Sequence, residues 1–345
     1  MISNSLIPSN NQNAFLTLKQ YFQSFVILLT ICLFAELQAE KVVPGSYSNL
    51  TIALENPLKV RELNLSWQEI TSLPSDIERF QNLKSLNLFK NNLESLPVEI
   101  GKLKNLKSLN LGLNPLITFP KEIEQLNDLL ELDFSGNKLE VLPPEILQLK
   151  NLTDLNLLGN ELTALPIEIG VLQNLQKLNL YSNELIRLPR EIGQLQNLQE
   201  LSIHYNKLVS IPEEIGQLKS LKILNLSQNQ FTSLPEEIRE LHNLKELDLS
   251  NNPQLIFPKE IMFLKNLQEL RLMKNNLNTF PIEILQLRNL RSLGLGGNNI
   301  ISFPNEIKQL QSLRILSLDH SVIPIPKKEK EKIQRLLPNC KVIFN

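Results

Sequence analysis

Few side chains in this sequence could act as nucleophiles or as soft metal ligands: 345 residues contain two cysteines and three histidines. Cys32 and Cys340 cannot build a zinc cluster with so few histidines, and a disulfide framework is excluded by the same count. His204, His242 and His320 fall too far apart in the pattern described below to share an ion, and no Ser/His/Asp arrangement accompanies them. Carboxylates are abundant, but they recur at a fixed interval, which marks solvated faces and helix starts and not acid/base pairs. Glu122, Glu145 and Glu168 could be read as a row of oxygen ligands, but their place at the helix starts accounts for them without any ligand. Gly-rich phosphate loops are missing from the sequence. Neither an enzymatic activity nor a metal or cofactor is expected.

Charge narrows the partners. Lys plus Arg (35) and Asp plus Glu (36) leave a net charge of −1, which excludes a broadly basic nucleic-acid surface and an acidic disordered tail.

What positions these residues is a single period. The pattern LxxLxLxxN begins at Val60 and then at Leu83, Leu106, Leu129, Leu152, Leu175, Leu198, Leu221, Leu244, Leu267, Leu290 and Leu313, always 23 residues apart. Twelve units run without an insertion, so the chain reads as a stacked repeat and not as several globular domains. Positions within a unit are numbered 1–23 from these residues. Positions 4 and 6, such as Leu178 and Leu180, alternate with Asn179, the signature of a short strand with one face in the core. Position 9 is Asn in ten of the twelve units, a short amide suited to satisfying backbone groups where the chain turns inward. Position 5 is mostly Asn or Asp and reads as a solvated stripe.

Eleven segments between strands carry Pro at position 15, an acid at 17 and Ile at 18, for example Pro97, Glu99 and Ile100. This predicts a helical turn with Pro at its first position and a carboxylate at the third, able to reach back to the capping amide. Phe257, Phe280 and Phe303, all at position 14, are expected to stack inside the core.

The expected organisation is a leader at 1–39, an N-terminal cap at 40–59, twelve repeats over 60–323 and a C-terminal cap at 324–345. Within the leader, Lys19 to Ala39 has a lone positive charge, an apolar run from Phe25 to Ala35 and a small residue before Glu40. That is the grammar of a cleaved secretory signal, and the run is too short to span a bilayer. A translation start near Leu16 or Leu18 would explain the polar extension ahead of it. Cys32 is a hydrophobic filler on this reading. Residues 48–56 predict a capping helix with Leu50, Ala53 and Leu54 on one face. KKEKEKIQRLL predicts another, with Ile333, Leu336 and Leu337 inward, followed by a sealing strand that holds Cys340 as an inert thiol.

The unit LPxEIGxLxNLxxLxLxxNxL, seen from Leu188 to Leu208, resembles leucine-rich repeat proteins, most of all exported spirochaetal ones and the Ras-group repeats of eukaryotes. The resemblance covers roughly residues 40–345. It implies an α/β solenoid, a curved parallel sheet on the concave face with short helices or 3-10 turns on the convex face, and a protein-binding role.

Positions 7 and 8 of the concave face vary most. Trp67, Phe89, Leu113, Leu158, Tyr181, His204 and Tyr205 are large or aromatic, whereas later units carry Ser227, Gln228, Ser250, Asn251, Gly296 and Gly297. The seven large residues are the expected partner-binding site. The expected protein is exported and monomeric, secreted, periplasmic or at the cell surface, with no membrane span in its mature form. Its expected partner is another protein, host surface and matrix proteins among the candidates. The alternative is an envelope-associated scaffold with no concave ligand.

Overall fold

The computed structural model describes residues 44–321 and 323–344. The expected leader, with Cys32, and the first residues of the N-terminal cap lie outside the described residues. The chain divides into two units, 1–46 and 47–345, and only residues 44–46 of the first are described.

In the second unit every repeat contributes one strand at positions 3–5, such as Lys177–Asn179 and Glu200–Ser202. Neighbouring strands pair parallel and in register, Leu178 opposite Leu201, and the strand order follows the chain from one end of the sheet to the other. Since the repeats never slip, each position forms a row across the sheet, with neighbours about 4.8 Å apart. The inward rows at positions 1, 4 and 6 build one continuous core, in which Leu175, Leu178 and Leu180 are buried.

Opposite the sheet, each of the first eleven repeats makes a five-residue 3-10 turn, for example Val98–Lys102. These turns start one residue later than the sequence suggests. Pro97 is the capping residue itself, its carbonyl accepting from Ile100 N–H at 3.1 Å, so Glu99 stands second in the turn and not third. A 3-10 turn closes over three residues, and the proline carbonyl supplies that first acceptor. Proline has no N–H for a carboxylate to reach back to, so the acid acts through its charge at the turn's start.

The position-9 asparagines bind consecutive repeats together. Asn160 Nδ2 donates to Leu157 O at 3.0 Å in its own repeat and to Phe134 O at 2.9 Å in the preceding one, while its Oδ1 accepts from Leu139 N–H at 3.1 Å. Position 5 is equally structural, which corrects the reading of a solvated stripe. Asn179 Oδ1 accepts from Tyr181 N–H at 3.1 Å, and Asp248 Oδ1 from Ser250 N–H at 2.9 Å. A short acceptor two residues upstream pins the backbone as it leaves the strand.

Phe280 and Phe303 are buried with ring centroids 5.6 Å apart, but Phe257 is only half-buried and outside this pair. Its repeat carries Gln254 at position 11, where most others place a buried Leu or Ile. Leu255, buried at the next position, takes over that space in this repeat.

The helix Leu50–Glu55, capped by Asn49 Oδ1 accepting from Ile52 N–H, lays Leu50, Ala53 and Leu54 against the core. The helix Lys327–Leu336 buries Ile333 and is followed by the strand Lys341–Ile343, which pairs with Ile315–Ser317. Burial pushes the half-buried Cys340 thiol up to about 11, so it stays protonated and unreactive. Among the described residues no helix is long and apolar enough to cross a membrane, and no group of His, Cys, Asp and Glu could hold a metal ion.

Candidate functional site

Positions 7 and 8 follow the strand, and their geometry is set by the turn that brings the position-9 asparagine inward. Position 8 adopts a left-handed backbone in all twelve repeats, from Trp67 (φ 62°) through Gly136 (φ 63°) and Tyr205 (φ 60°) to His320 (φ 51°). The ladder still continues there: Tyr205 N–H donates to Ser227 O at 3.1 Å. Glycine or asparagine adopts such a backbone at little cost, whereas a bulky side chain pays about 1–2 kcal/mol. Three glycines and Asn251 meet that demand; Trp67, Leu113 and Tyr205 do not. The glycines among the variable positions were the sequence signal for this turn.

Large side chains lean toward the C-terminal neighbour in their row. Phe89 lies over Gly112, where an added Cβ would come within 2.9 Å of the Phe89 ring. Leu113 similarly covers Gly136, and a Cβ there would collide with its Cδ2. Trp67, 53% exposed, tilts against Phe89 at 6.2 Å between centroids, and Lys90 Nζ sits 5.9 Å from the indole centroid.

Four repeats further on, Tyr181 and His204 stack at 4.0 Å and 9°, and Tyr205 meets Tyr181 edge-on at 5.8 Å. Leu158 precedes Tyr181 in the position-7 row. Tyr181 is only 9% exposed because the row encloses it, so the accessible part of this cluster belongs to Leu158, His204 and Tyr205. In this repeat position 5 is Ser202, and its Oγ lies 2.8 Å from His204 Nδ1, a bond a neutral ring satisfies in either tautomer. Burial pulls His204 down to about 4 and, with the adjacent Tyr205, raises the Tyr181 phenol.

The seven residues singled out from the sequence therefore form two clusters, not one. Trp67, Phe89 and Leu113 occupy one end of the sheet; Leu158, Tyr181, His204 and Tyr205 occupy its middle. Gly136 and Gly159 pave the row between them.

A family model described as a leucine-rich repeat region matches residues 99–204, 154–250 and 200–293, and a second, Leucine Rich Repeat, matches 82–103. A leucine-rich repeat protein of Leptospira interrogans is 37% identical, with 88% of this chain and 100% of that one covered and a TM-score of 0.60. An internalin of Listeria monocytogenes shares the fold at 21% identity, covering 84% and 81% of the two chains with a TM-score of 0.72. The leucine-rich repeat ectodomain of an Arabidopsis thaliana membrane receptor kinase is 27% identical over 83% of this chain and 39% of its own, with a TM-score of 0.61. No curated protein matches the chain. With its family model spanning more than half the sequence and its periodic sheet of position-matched leucines and asparagines, the chain belongs to the leucine-rich repeat family.

Proposed function

We propose that this protein is an exported, monomeric, non-enzymatic binding module that holds another protein against its concave sheet. Trp67, Phe89 and Leu113 form one contact cluster, and Leu158, Tyr181, His204 and Tyr205 the other. The observation that carries this reading is the grouping of large side chains at positions 7 and 8, with Tyr181 stacked on His204 at 4.0 Å and Trp67 tilted on Phe89 at 6.2 Å, where other repeats carry Gly, Ser or Asn. Rigid aromatic groups on a sheet also lose little entropy on binding, which suits them as anchors. Leucine-rich repeat proteins generally serve protein interaction, and the Arabidopsis ectodomain is described in complex with Casparian strip integrity factor 2. Export rests on the charged, apolar and small-residue order of Lys19 to Ala39.

The test is a paired capture experiment with the full chain and candidate host or envelope proteins. A partner retained by the native chain and lost on Trp67→Ala with Tyr205→Ala supports the reading. A partner lost instead on reversing Glu145 and Glu168 of the convex face would replace it with a scaffold that works through its outer surface.

A further inference from the structure

A second surface lies along the edge where each chain segment enters its strand, at positions 22, 23 and 2, away from the aromatic clusters. Position 23 is Asn in most repeats, and each such amide supports the turn before it. Asn243 Nδ2 donates to Lys219 O at 2.8 Å, Asn266 to His242 O at 2.8 Å and Asn289 to Lys265 O at 2.9 Å. Their Oδ1 atoms accept no hydrogen bond among the described residues, leaving a row of outward acceptors.

Two rows of cations flank these amides. Several of those at position 22 have a structural task, reaching the carbonyl that ends the next 3-10 turn. Lys219 Nζ lies 3.3 Å from Glu240 O, Lys265 Nζ 3.4 Å from Gln286 O and Arg288 3.2 Å from Gln309 O. Position 2 is different. Lys222, Lys245, Arg291 and Arg314 occupy it toward the C-terminal end, but Leu130, Thr153, Gln176 and Gln199 occupy it in the middle repeats, so the fold itself requires no charge there. Lys245 and Arg291 have no carboxylate within 4.0 Å and no side-chain hydrogen bond among the described residues, and both are exposed. With Asn243, Asn266, Gln268 and Asn289 they line a groove of about 150 Å³.

We propose that this edge binds an anionic polysaccharide laid across the strands. Lys245 and Arg291 take its sulfate or carboxylate groups, and the Oδ1 row of Asn243, Asn266 and Asn289 accepts from its hydroxyls. The two cations stand two strands apart, about 10 Å at the usual spacing, so they engage a chain bearing repeated charges and not one small anion. No aromatic side chain lines the groove, which removes the stacking platform a single-stranded nucleic acid would use. With a net charge of −1 the protein has no general attraction for polyanions, so any such binding reports a local site.

The experiment measures retention of the full chain on immobilised dextran sulfate, unsulfated dextran and poly(dT) at low ionic strength. Lys245→Gln with Arg291→Gln is the informative variant, because glutamine already stands at position 2 in Gln176, Gln199 and Gln268 and the fold accepts it. Expected is salt-reversible retention on dextran sulfate alone, weakened at least tenfold by this pair and less than twofold by Lys84→Gln with Lys107→Gln at the other end of the same edge. An unchanged circular dichroism spectrum confirms the fold of each variant. Absence of retention, equal loss from both pairs, or retention on poly(dT) as strong as on dextran sulfate would each overturn the proposal. Since Trp67 and Tyr205 take no part in this contact, their replacement leaves it unchanged.

Discussion

Tyr181 and His204 lie face to face on neighbouring strands, with ring centroids 4.0 Å apart and planes 9° from parallel. Parallel in-register pairing imposes this relationship, since residues at equal positions of adjacent repeats must stand side by side. The stack withdraws the imidazole from water, and Ser202 satisfies one of its nitrogens at 2.8 Å.

The consequence is a stability that depends on pH. His204 titrates near 4 in the fold against 6.5 when free, so between those values the unfolded chain binds the proton and the folded chain does not. The stabilisation is full above pH 6.5 and is lost progressively as pH falls toward 4, by an amount on the order of 3 kcal/mol. Urea denaturation at pH 7, 5.5 and 4 should show a shallower decline for His204→Phe, which keeps the stack, than for the native chain. Identical slopes would mean the ring is solvated. Partner binding should be flat from pH 5.5 to 8, because the imidazole is neutral throughout.

The two asparagine rows differ in what they hold. Asn160 serves three buried backbone groups across two repeats; Leu157 O and Phe134 O keep a second amide donor, from Asn183 and Asn137, so alanine there orphans the Leu139 N–H and removes one of two bonds at each carbonyl. At about 1–3 kcal/mol for the orphaned N–H and about 0.5–1.5 kcal/mol for each of the two other bonds lost, Asn160→Ala should cost at least about 2 kcal/mol. Asn151 makes one bond, 2.8 Å to Asn127 O, at an exposed edge, and Asn151→Ala should cost less than about 1 kcal/mol. Equal losses in urea midpoints would contradict this division of labour.

Much of this was legible beforehand because the repeat is rigid in sequence. Leu178, Asn183 and Ile192 announce strand, inward turn and convex core by interval alone, and twelve repetitions remove the ambiguity of any single match. What the interval could not reveal is conformation that only a few residues signal. Position 8 is left-handed in every repeat, yet its residues range from glycine to tryptophan, because the chain turn dictates the backbone and leaves the side chain free. Position 5 misled for a related reason: an asparagine pinning an N–H two residues on has the same letter as one facing water. The aromatic residues stand out by type, but that Phe89 and Leu113 lie over Gly112 and Gly136 while Tyr181 stacks on His204 depends on side-chain direction, which the interval does not carry.

Gln228 combines two local costs. Its backbone is left-handed (φ 53°), and its Oε1 is buried with no hydrogen-bond partner among the described residues. Gln228→Gly removes both, and gains of about 1 kcal/mol from relieved strain outweigh the added freedom of the unfolded chain. A rise of a few degrees in melting temperature is expected. A fall would show that the glutamine stem packs more productively than its amide suggests.

The sharpest functional prediction separates Tyr205 from Tyr181. Tyr181 is 9% exposed and braces His204, so Tyr181→Ala should lower stability by roughly 1–2 kcal/mol through lost packing and weaken binding indirectly. Tyr205 is less enclosed and sits on a left-handed backbone, so Tyr205→Gly relieves strain as it removes an anchor. For a partner held on the concave face, Tyr205→Gly should therefore reduce affinity by about 2 kcal/mol, roughly thirtyfold, while the melting temperature holds or rises. Activity and stability would then move in opposite directions at one residue, which a purely structural tyrosine cannot produce. Titration calorimetry against the captured partner, beside thermal melts of both variants, reads the two quantities separately. If Tyr205→Gly melts lower and binds as the native chain does, its ring belongs to the packing of the sheet and the anchors must be sought among Trp67 and Phe89.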